Sequence, residues 1–129
     1  MRMARWFLIF VSILCLGAAQ EHTTYTGRYL TDFRGPQVYK DPTSGTLLYV
    51  ETDGRHVAAI SCAGKLLWNR DPLTDAHLPF YRTDKPQIVY IGPDPARGEP
   101  GKFVAIAFNS SQFGVMRISD GEFRFRGQD

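Results

Sequence analysis

Short apolar runs separated by turn residues fill the chain after residue 20, and none of them keeps a helical period over a useful length. Runs of this kind predict β-strands. The clearest run is 46–51, which is followed by Asp53 and Gly54, a pair that tolerates the positive φ of a tight hairpin turn. The run 55–61 then returns, and 65–69 follows after a second turn. Together these runs are predicted to form a three-stranded meander.

The same pattern continues in the C-terminal half of the chain. Residues 103–108 are apolar at every position, which predicts a strand in the interior of a sheet. Phe123 and Phe125 alternate with Arg124 and Arg126, so we expect one face of the last strand to be exposed to solvent. Further strands are predicted at 25–30, 87–92 and 112–118. The core is expected to contain Tyr49, Ile60, Trp68, Val89, Val104, Ile106, Phe123 and Phe125.

The N-terminal segment has the three parts of a secretory signal peptide. Arg2 and Arg5 give a positive start, 6–16 is an apolar run broken only by Ser12, and small residues precede a cleavage point after Ala19. The apolar run is shorter than the roughly 20 residues that a spanning helix needs. A signal helix over 1–19 is therefore predicted, which implies a secreted or periplasmic protein without a stable membrane span after cleavage. The alternative is an uncleaved N-terminal anchor.

Removal of this segment changes the charge balance and the number of cysteines. The chain has 15 basic and 13 acidic residues, but Arg2 and Arg5 leave with the signal, so the remaining 110 residues have 13 of each. No basic excess remains to attract nucleic acid, and the balanced charge permits self-association. Because Cys15 also leaves, we expect Cys62 to remain as a single thiol without an internal disulfide.

Residues 45–69 carry a more specific pattern: a Tyr-Val strand, a turn with Gly, an Ala-rich apolar strand, and then Gly-Lys and an apolar pair ending in Trp. This segment resembles the blade repeat of quinoprotein-type β-propellers. The matching positions are Tyr49, Val50, Asp53, Gly54, Ala59, Gly64, Lys65 and Trp68. The resemblance implies blade-like hairpins in which the Trp packs between neighbouring sheets. It implies no cofactor, because that family's quinone-contacting and metal-binding residues have no counterpart here.

The long connection over 70–86 contains the candidate site. It is rich in Pro and Asp and has no clear period, and loops of this length in compact domains are often functional. Asp75 and His77 are separated by Ala76 alone, so their side chains lie on the same side of an extended segment. Phe80, Tyr81 and Arg82 are of types that are enriched in recognition surfaces. We predict that these five residues form a binding surface; the other interpretation is that the two rings fold back and cover one end of the sheet.

The same loop also permits a metal site. Asp75 and His77, together with Asp71 or Asp84, could hold a divalent ion, because imidazole and carboxylate groups suit Zn²⁺ or Mn²⁺. No HExxH helix, Gly-x-Ser-x-Gly elbow, P-loop or dinucleotide fingerprint is present in the sequence. We therefore assign no catalytic residue, no metal ligand and no cofactor.

The sequence thus predicts an all-β protein, with a single antiparallel β-meander domain over 20–129 that follows the signal helix. This domain is expected to be a sandwich or an open barrel with propeller-blade-like hairpins. Its predicted function is that of an exported, non-enzymatic binding or interaction module with a protein or glycan partner. Two alternatives stay open: a small metal-dependent hydrolase that uses the 70–86 loop, and a self-associating structural envelope protein that forms a homo-oligomer.

Overall fold

The computed structural model describes residues 37–94 and 100–128, which form two antiparallel sheets of four strands each. The first sheet contains β1 (Gln37–Lys40), β2 (Leu47–Val50), β3 (Val57–Ile60) and β4 (Leu66–Arg70). A short helix, α1 (Pro72–Asp75), follows the first sheet. The second sheet contains β5 (Ile88–Pro93), β6 (Phe103–Phe108), β7 (Gln112–Arg117) and β8 (Phe123–Gln128). The prediction of an all-β fold is confirmed.

Each sheet is a simple meander, because strands that are neighbours in the sheet are also consecutive in the sequence. Glycines with a positive φ make two of the tight turns: Gly54 (φ 73°) between β2 and β3, and Gly121 (φ 77°) between β7 and β8. Strand β6 lies in the interior of the second sheet, as its apolar sequence predicts. The predicted signal helix and the predicted strand at 25–30 lie outside the described residues.

The two sheets pack against each other with β1 beside β5, and they share one apolar core. We call the face of each sheet that lies toward the other sheet its inner face, and the opposite face its outer face. The arrangement corresponds to the sandwich rather than the open barrel. The first sheet contributes to this core Tyr39, Leu48, Val50, Val57, Ala59 and Trp68, and the second contributes Ile88, Ile91, Val104, Ile106, Phe108 and Met116.

Trp68 links the two sheets through its indole group. Its Nε1–H donates a hydrogen bond to the carbonyl oxygen of Ile118, 2.7 Å away. The ring lies against Gly121, where an added Cβ would come within 2.6 Å of it. A second link joins the β2–β3 turn to the second sheet, because the N–H of Ile88 donates to the carbonyl oxygen of Gly54 at 2.6 Å.

The structure corrects three of the expected core positions. Tyr49 and Ile60 are half-buried on the outer face of the first sheet, and Phe125 is 43% exposed on β8. For Tyr49 and Ile60 the reason is that alternation along a strand shows which residues share a face but not which face is covered, and here the outer face is apolar as well. Phe125 shares a face with the core residue Ile106 but lies on β8, the edge strand of the second sheet, which leaves it partly exposed. The short elements β1 and α1 were not predicted from the sequence.

Cys62 lies in the exposed turn between β3 and β4. It is disulfide-bonded, and its partner lies outside the described residues. The expectation of a single thiol without a disulfide is therefore wrong for this structure. That expectation assumed that cleavage after Ala19 removes Cys15, which is the only other cysteine in the sequence.

Candidate functional site

A cleft of about 530 Å³ opens between the segment that follows β4 and the turn that joins β7 to β8. Its size is within the range of sites that accept a small molecule or a partner's side chain. The cleft brings two of the predicted binding residues, Asp75 and His77, together with residues of the second sheet. Its full lining is Arg70, Thr74, Asp75, His77, Asp120, Glu122 and Phe123.

Helix α1 forms one wall of the cleft, and its start is fixed by Asp71. The Asp71 carboxylate accepts hydrogen bonds from the backbone N–H of Thr74 at 3.2 Å and from its hydroxyl at 3.0 Å. Pro72 occupies the first helical position, where a missing N–H costs nothing. Leu73 is only 2% exposed and anchors the helix in the core. Arg55, from the β2–β3 turn, adds an ion pair with Asp71 at 3.0 Å.

These anchors leave Asp75 and His77 on the solvent side of the wall. Both are exposed, and the chain passes through His77 with a φ of 51°, which ends the helical turn. Within the part of the chain that the structure describes, neither side chain has a hydrogen bond or an ion pair. The cleft therefore offers a ligand one carboxylate and one imidazole that are not already engaged.

The opposite wall is built around Arg117. Its guanidinium pairs with Asp120 at 2.8 Å and with Glu122 at 2.9 Å, so both carboxylates already have a cationic partner within the protein. The pKa of Asp120 is lowered, first because the backbone N–H of Glu122 donates to its carboxylate, and further because of the charge of Arg117. Arg70 also donates from Nε to the carbonyl oxygen of Asp120 at 3.3 Å.

Phe123 supplies the apolar part of this wall. It is half-buried and packs edge-to-face on Phe108, with ring centroids 6.3 Å apart and an interplanar angle of 85°. An aromatic ring held in this way can contact the apolar part of a ligand or a cation.

The other three predicted site residues lie outside the lining of the cleft. Phe80 is 62% exposed, whereas Tyr81 is half-buried. The guanidinium of Arg82 lies 5.1 Å from the centre of the Tyr81 ring, and it donates to the hydroxyl of Ser111 at 3.4 Å. The structure thus divides the predicted surface into a polar pair inside the cleft and an aromatic segment outside it.

The residues proposed for a metal-dependent hydrolase are not gathered into one set of ligands. Asp84 is exposed and does not line the cleft with Asp75 and His77. Among residues 37–94 and 100–128, the set whose ligand atoms lie within 4.8 Å of one another is Glu51, Asp53 and His56. These three residues were not predicted as a set from the sequence.

Internal hydrogen bonds occupy that second set. Asp53 accepts from the backbone N–H groups of Arg55 at 2.9 Å and His56 at 3.0 Å, and it lies 2.5 Å from Nδ1 of His56. Burial opposes ionisation of Asp53, but these hydrogen bonds outweigh it and lower its pKa to about 2. The hydrogen bond to Asp53 also raises the pKa of His56. Glu51 accepts from the amide of Asn69 at 3.0 Å. The set stabilises the β2–β3 turn without any ligand.

The lining residues that were not predicted from the sequence are Arg70, Thr74, Asp120, Glu122 and Phe123. Asp120 and Gly121 are a pair typical of tight turns, but nothing in the sequence places this turn beside the segment that follows β4.

No protein family, curated protein or solved structure matches this chain. Among the described residues, no helix is long and apolar enough to cross a membrane.

Proposed function

We propose that this chain is an exported, non-enzymatic binding module that accepts a basic side chain of a protein partner in the cleft. One observation carries the proposal: the unengaged carboxylate of Asp75 lines the same cleft as the ring of Phe123. A carboxylate and an aromatic face are the groups that bind an ammonium or guanidinium group.

The charge of the cleft supports the same kind of ligand. Three carboxylates line it, from Asp75, Asp120 and Glu122, against one arginine, Arg70. Asp120 and Glu122 both form ion pairs with Arg117, whereas Asp75 forms no ion pair among the described residues, so Asp75 is the carboxylate of the lining that is available to a cationic ligand. Outside the cleft, the exposed ring of Phe80 offers the partner an aromatic contact on the same loop.

Export is part of the proposal and rests on the N-terminal sequence. Cleavage after Ala19 would remove Cys15, the only other cysteine, whereas Cys62 is disulfide-bonded in the structure. A single cleaved chain cannot have both features. The intact mass of the exported protein, measured with and without reductant, distinguishes a cleaved chain from one that keeps its N-terminal anchor.

The binding proposal is tested by NMR titration of the ¹⁵N-labelled protein with N-acetyl-arginine amide and with the uncharged N-acetyl-citrulline amide. We expect the arginine compound to shift the signals of His77 and Phe123, and the citrulline compound to bind about tenfold more weakly or not at all, because it lacks the charge. Asp75→Asn should weaken the arginine response by about the same factor.

Asp84→Asn is the matched control, because it removes an exposed carboxylate from the same loop without changing the cleft. Equal responses of the two variants would contradict the proposed site. If neutral monosaccharides shifted the cleft signals and the arginine compound did not, the partner would be a glycan, and the proposal of a basic side chain would be wrong.

A further inference from the structure

Strand β4 forms an edge of the first sheet. Within the described residues it pairs with β3 on one side and with no strand on the other. Four of its five residues are exposed, and only Trp68 is buried. Edge strands usually carry charge that discourages pairing with another chain. The exposed Arg124 and Arg126 do this on β8, an edge of the second sheet, whereas β4 has no charge before its last residue.

The backbone of Asn69 faces this open edge. Hydrogen-bonded and non-hydrogen-bonded pairs alternate along an antiparallel ladder, and the bond from the N–H of Glu51 to the carbonyl oxygen of His56 sets the alternation for β2 and β3. It directs the backbone groups of Ala58 toward β2. Because Ala58 is opposite Asn69 in the next ladder, the backbone N–H and carbonyl of Asn69 point away from β3. The edge therefore offers one donor and one acceptor to an added strand.

An exposed apolar pair lies at the start of the same strand. The register pairs Ile60 with Leu66 and Ala59 with Trp68, which leaves Leu67 as the extra residue of a β-bulge. Both leucines are exposed, Leu66 by 58% and Leu67 by 45%, although neighbouring residues of a regular strand point to opposite faces. Since the bulge interrupts the regular edge, an added strand would pair with β4 beyond the bulge and contact the leucines through a side chain.

The C-terminal end of β4 leads into the cleft. Arg70, the last residue of the strand, lines the cleft together with Asp75. At about 3.4 Å per residue, Arg70 lies about 10 Å along the strand from Leu67. A chain that lies along β4 can therefore contact the leucines with one side chain and reach Asp75 with another about four positions away.

We infer that the partner is bound as an extended strand, which pairs with the open edge of β4, contacts the two leucines with an apolar side chain and places its basic side chain in the cleft. This inference rests on the proposed function and specifies the form of the partner. Main-chain hydrogen bonds at a sheet edge supply affinity, and alternate side chains supply selectivity. Charge complementarity favours this occupant over a second copy, because the edge leads to the carboxylate of Asp75, whereas β4 itself ends in Arg70, which already donates to the carbonyl oxygen of Asp120.

NMR titration of the full chain with two peptides tests the inference. They are acetyl-Val-Thr-Val-Thr-Arg-amide and acetyl-Arg-Thr-Val-Thr-Val-amide, one for each direction of the added strand. We expect one of them to bind about tenfold or more tightly than N-acetyl-arginine amide, because backbone hydrogen bonds and an apolar contact are added. The signals of Leu67 and Asn69 should shift with the peptide and not with the arginine compound.

Two changes remove the backbone hydrogen bonds. Asn69→Pro removes the N–H that faces the edge and should reduce the affinity for the peptide to that for N-acetyl-arginine amide. Asn69→Thr is the matched control, because it also loses the side-chain bond to Glu51 but keeps the N–H. If Asn69→Pro does not fold by circular dichroism, the peptide supplies the same test: N-methylation of its alternate nitrogens should abolish the gain for the set that faces β4 and spare it for the other set.

The outcomes separate this inference from the proposed function. If N-acetyl-arginine amide binds in the cleft and neither peptide binds more tightly, the cleft stands and the added strand is wrong. Equal effects of the two methylated sets would also overturn the strand. If neither the arginine compound nor the peptides bind, the proposed function fails as well. A wild-type protein that dimerises in light scattering, with a monomeric Asn69→Pro variant, would show that a second copy occupies the edge and would overturn the inference.

Discussion

The hydrogen bond between Trp68 and Ile118 gives the sharpest test of how the two sheets are joined. Trp68 is 8% exposed, and its Nε1–H is 2.7 Å from the carbonyl oxygen of Ile118. Trp68→Phe keeps an aromatic ring but removes the donor. The net value of such a bond is about 0.5–1.5 kcal/mol, and leaving a buried carbonyl without a partner raises the cost to about 1–3 kcal/mol. The smaller ring adds about 1 kcal/mol for the space it leaves. We expect Trp68→Phe to lower the free energy of unfolding by about 2–4 kcal/mol.

Urea unfolding followed by far-UV circular dichroism measures this change without relying on tryptophan fluorescence. Trp68→Leu removes the aromatic ring as well as the donor and should lower the free energy of unfolding by about 3–5 kcal/mol. The difference between the two variants therefore measures the contribution of the ring. Phe125→Ala is the control, since its ring is 43% exposed and its loss should cost less than about 1 kcal/mol. If the free energy of unfolding of Trp68→Phe lies within about 0.5 kcal/mol of the wild-type value, the hydrogen bond from Trp68 to Ile118 does not hold the two sheets together.

Three further predictions concern turns near the site. Gly121→Ala should lower the free energy of unfolding by about 2 kcal/mol or more in the same urea assay, because φ is 77° and the new methyl group would meet the Trp68 ring. Gly64→Ala is the control: its φ is a similar 83°, but no atom lies near the added methyl group, so it measures the cost of the backbone conformation alone. Asp71→Ala should lower it by about 1 kcal/mol and speed proteolysis within 71–86, because α1 loses its cap; unchanged cleavage would show that Leu73 alone holds the helix. The Asp53–His56 pair should make the free energy of unfolding depend on pH in both the acidic and the neutral range. Its contribution should be lost as the pH falls from 3.8 through the lowered pKa of Asp53 at about 2. It should also be lost as the pH rises above 6.5 through the raised pKa of His56. Because both side chains are more than a third exposed, the contribution should be below about 1 kcal/mol, and Asp53→Asn should flatten both limbs of the stability curve.

Much of the fold could be predicted because its signals are local. The Asp53-Gly54 turn and the apolar runs on either side of it specify a hairpin without reference to the rest of the chain. Strand β1 was missed because its four residues show no alternation and lie between two prolines. Asp71 followed by Pro72 is a typical start of a helix. However, a helix of a single turn is too short to show a helical period of apolar residues.

The candidate site was predicted only in part, for a different reason. Asp75 and His77 could be selected from their spacing in one loop. Their counterparts across the cleft, Asp120 and Phe123, belong to the other sheet, and only the packing of the two sheets brings them near. Spacing along a strand likewise could not show that Tyr49 lies on an outer face, because both faces of the first sheet are apolar.

The meander topology also determines the order in which the protein can fold. Among the strands that the structure describes, every hydrogen-bonded pair is consecutive in the sequence, so each sheet can form from local contacts at low entropic cost. The bond from Trp68 to Ile118 joins distant parts of the chain and forms only when the sheets meet. Until then, the apolar inner faces of both sheets are open, and the first sheet of one chain can dock on the second sheet of another. The rate of docking within a chain, compared with the rate of encounter between chains, therefore determines whether a newly made molecule folds alone or exchanges a sheet with its neighbour.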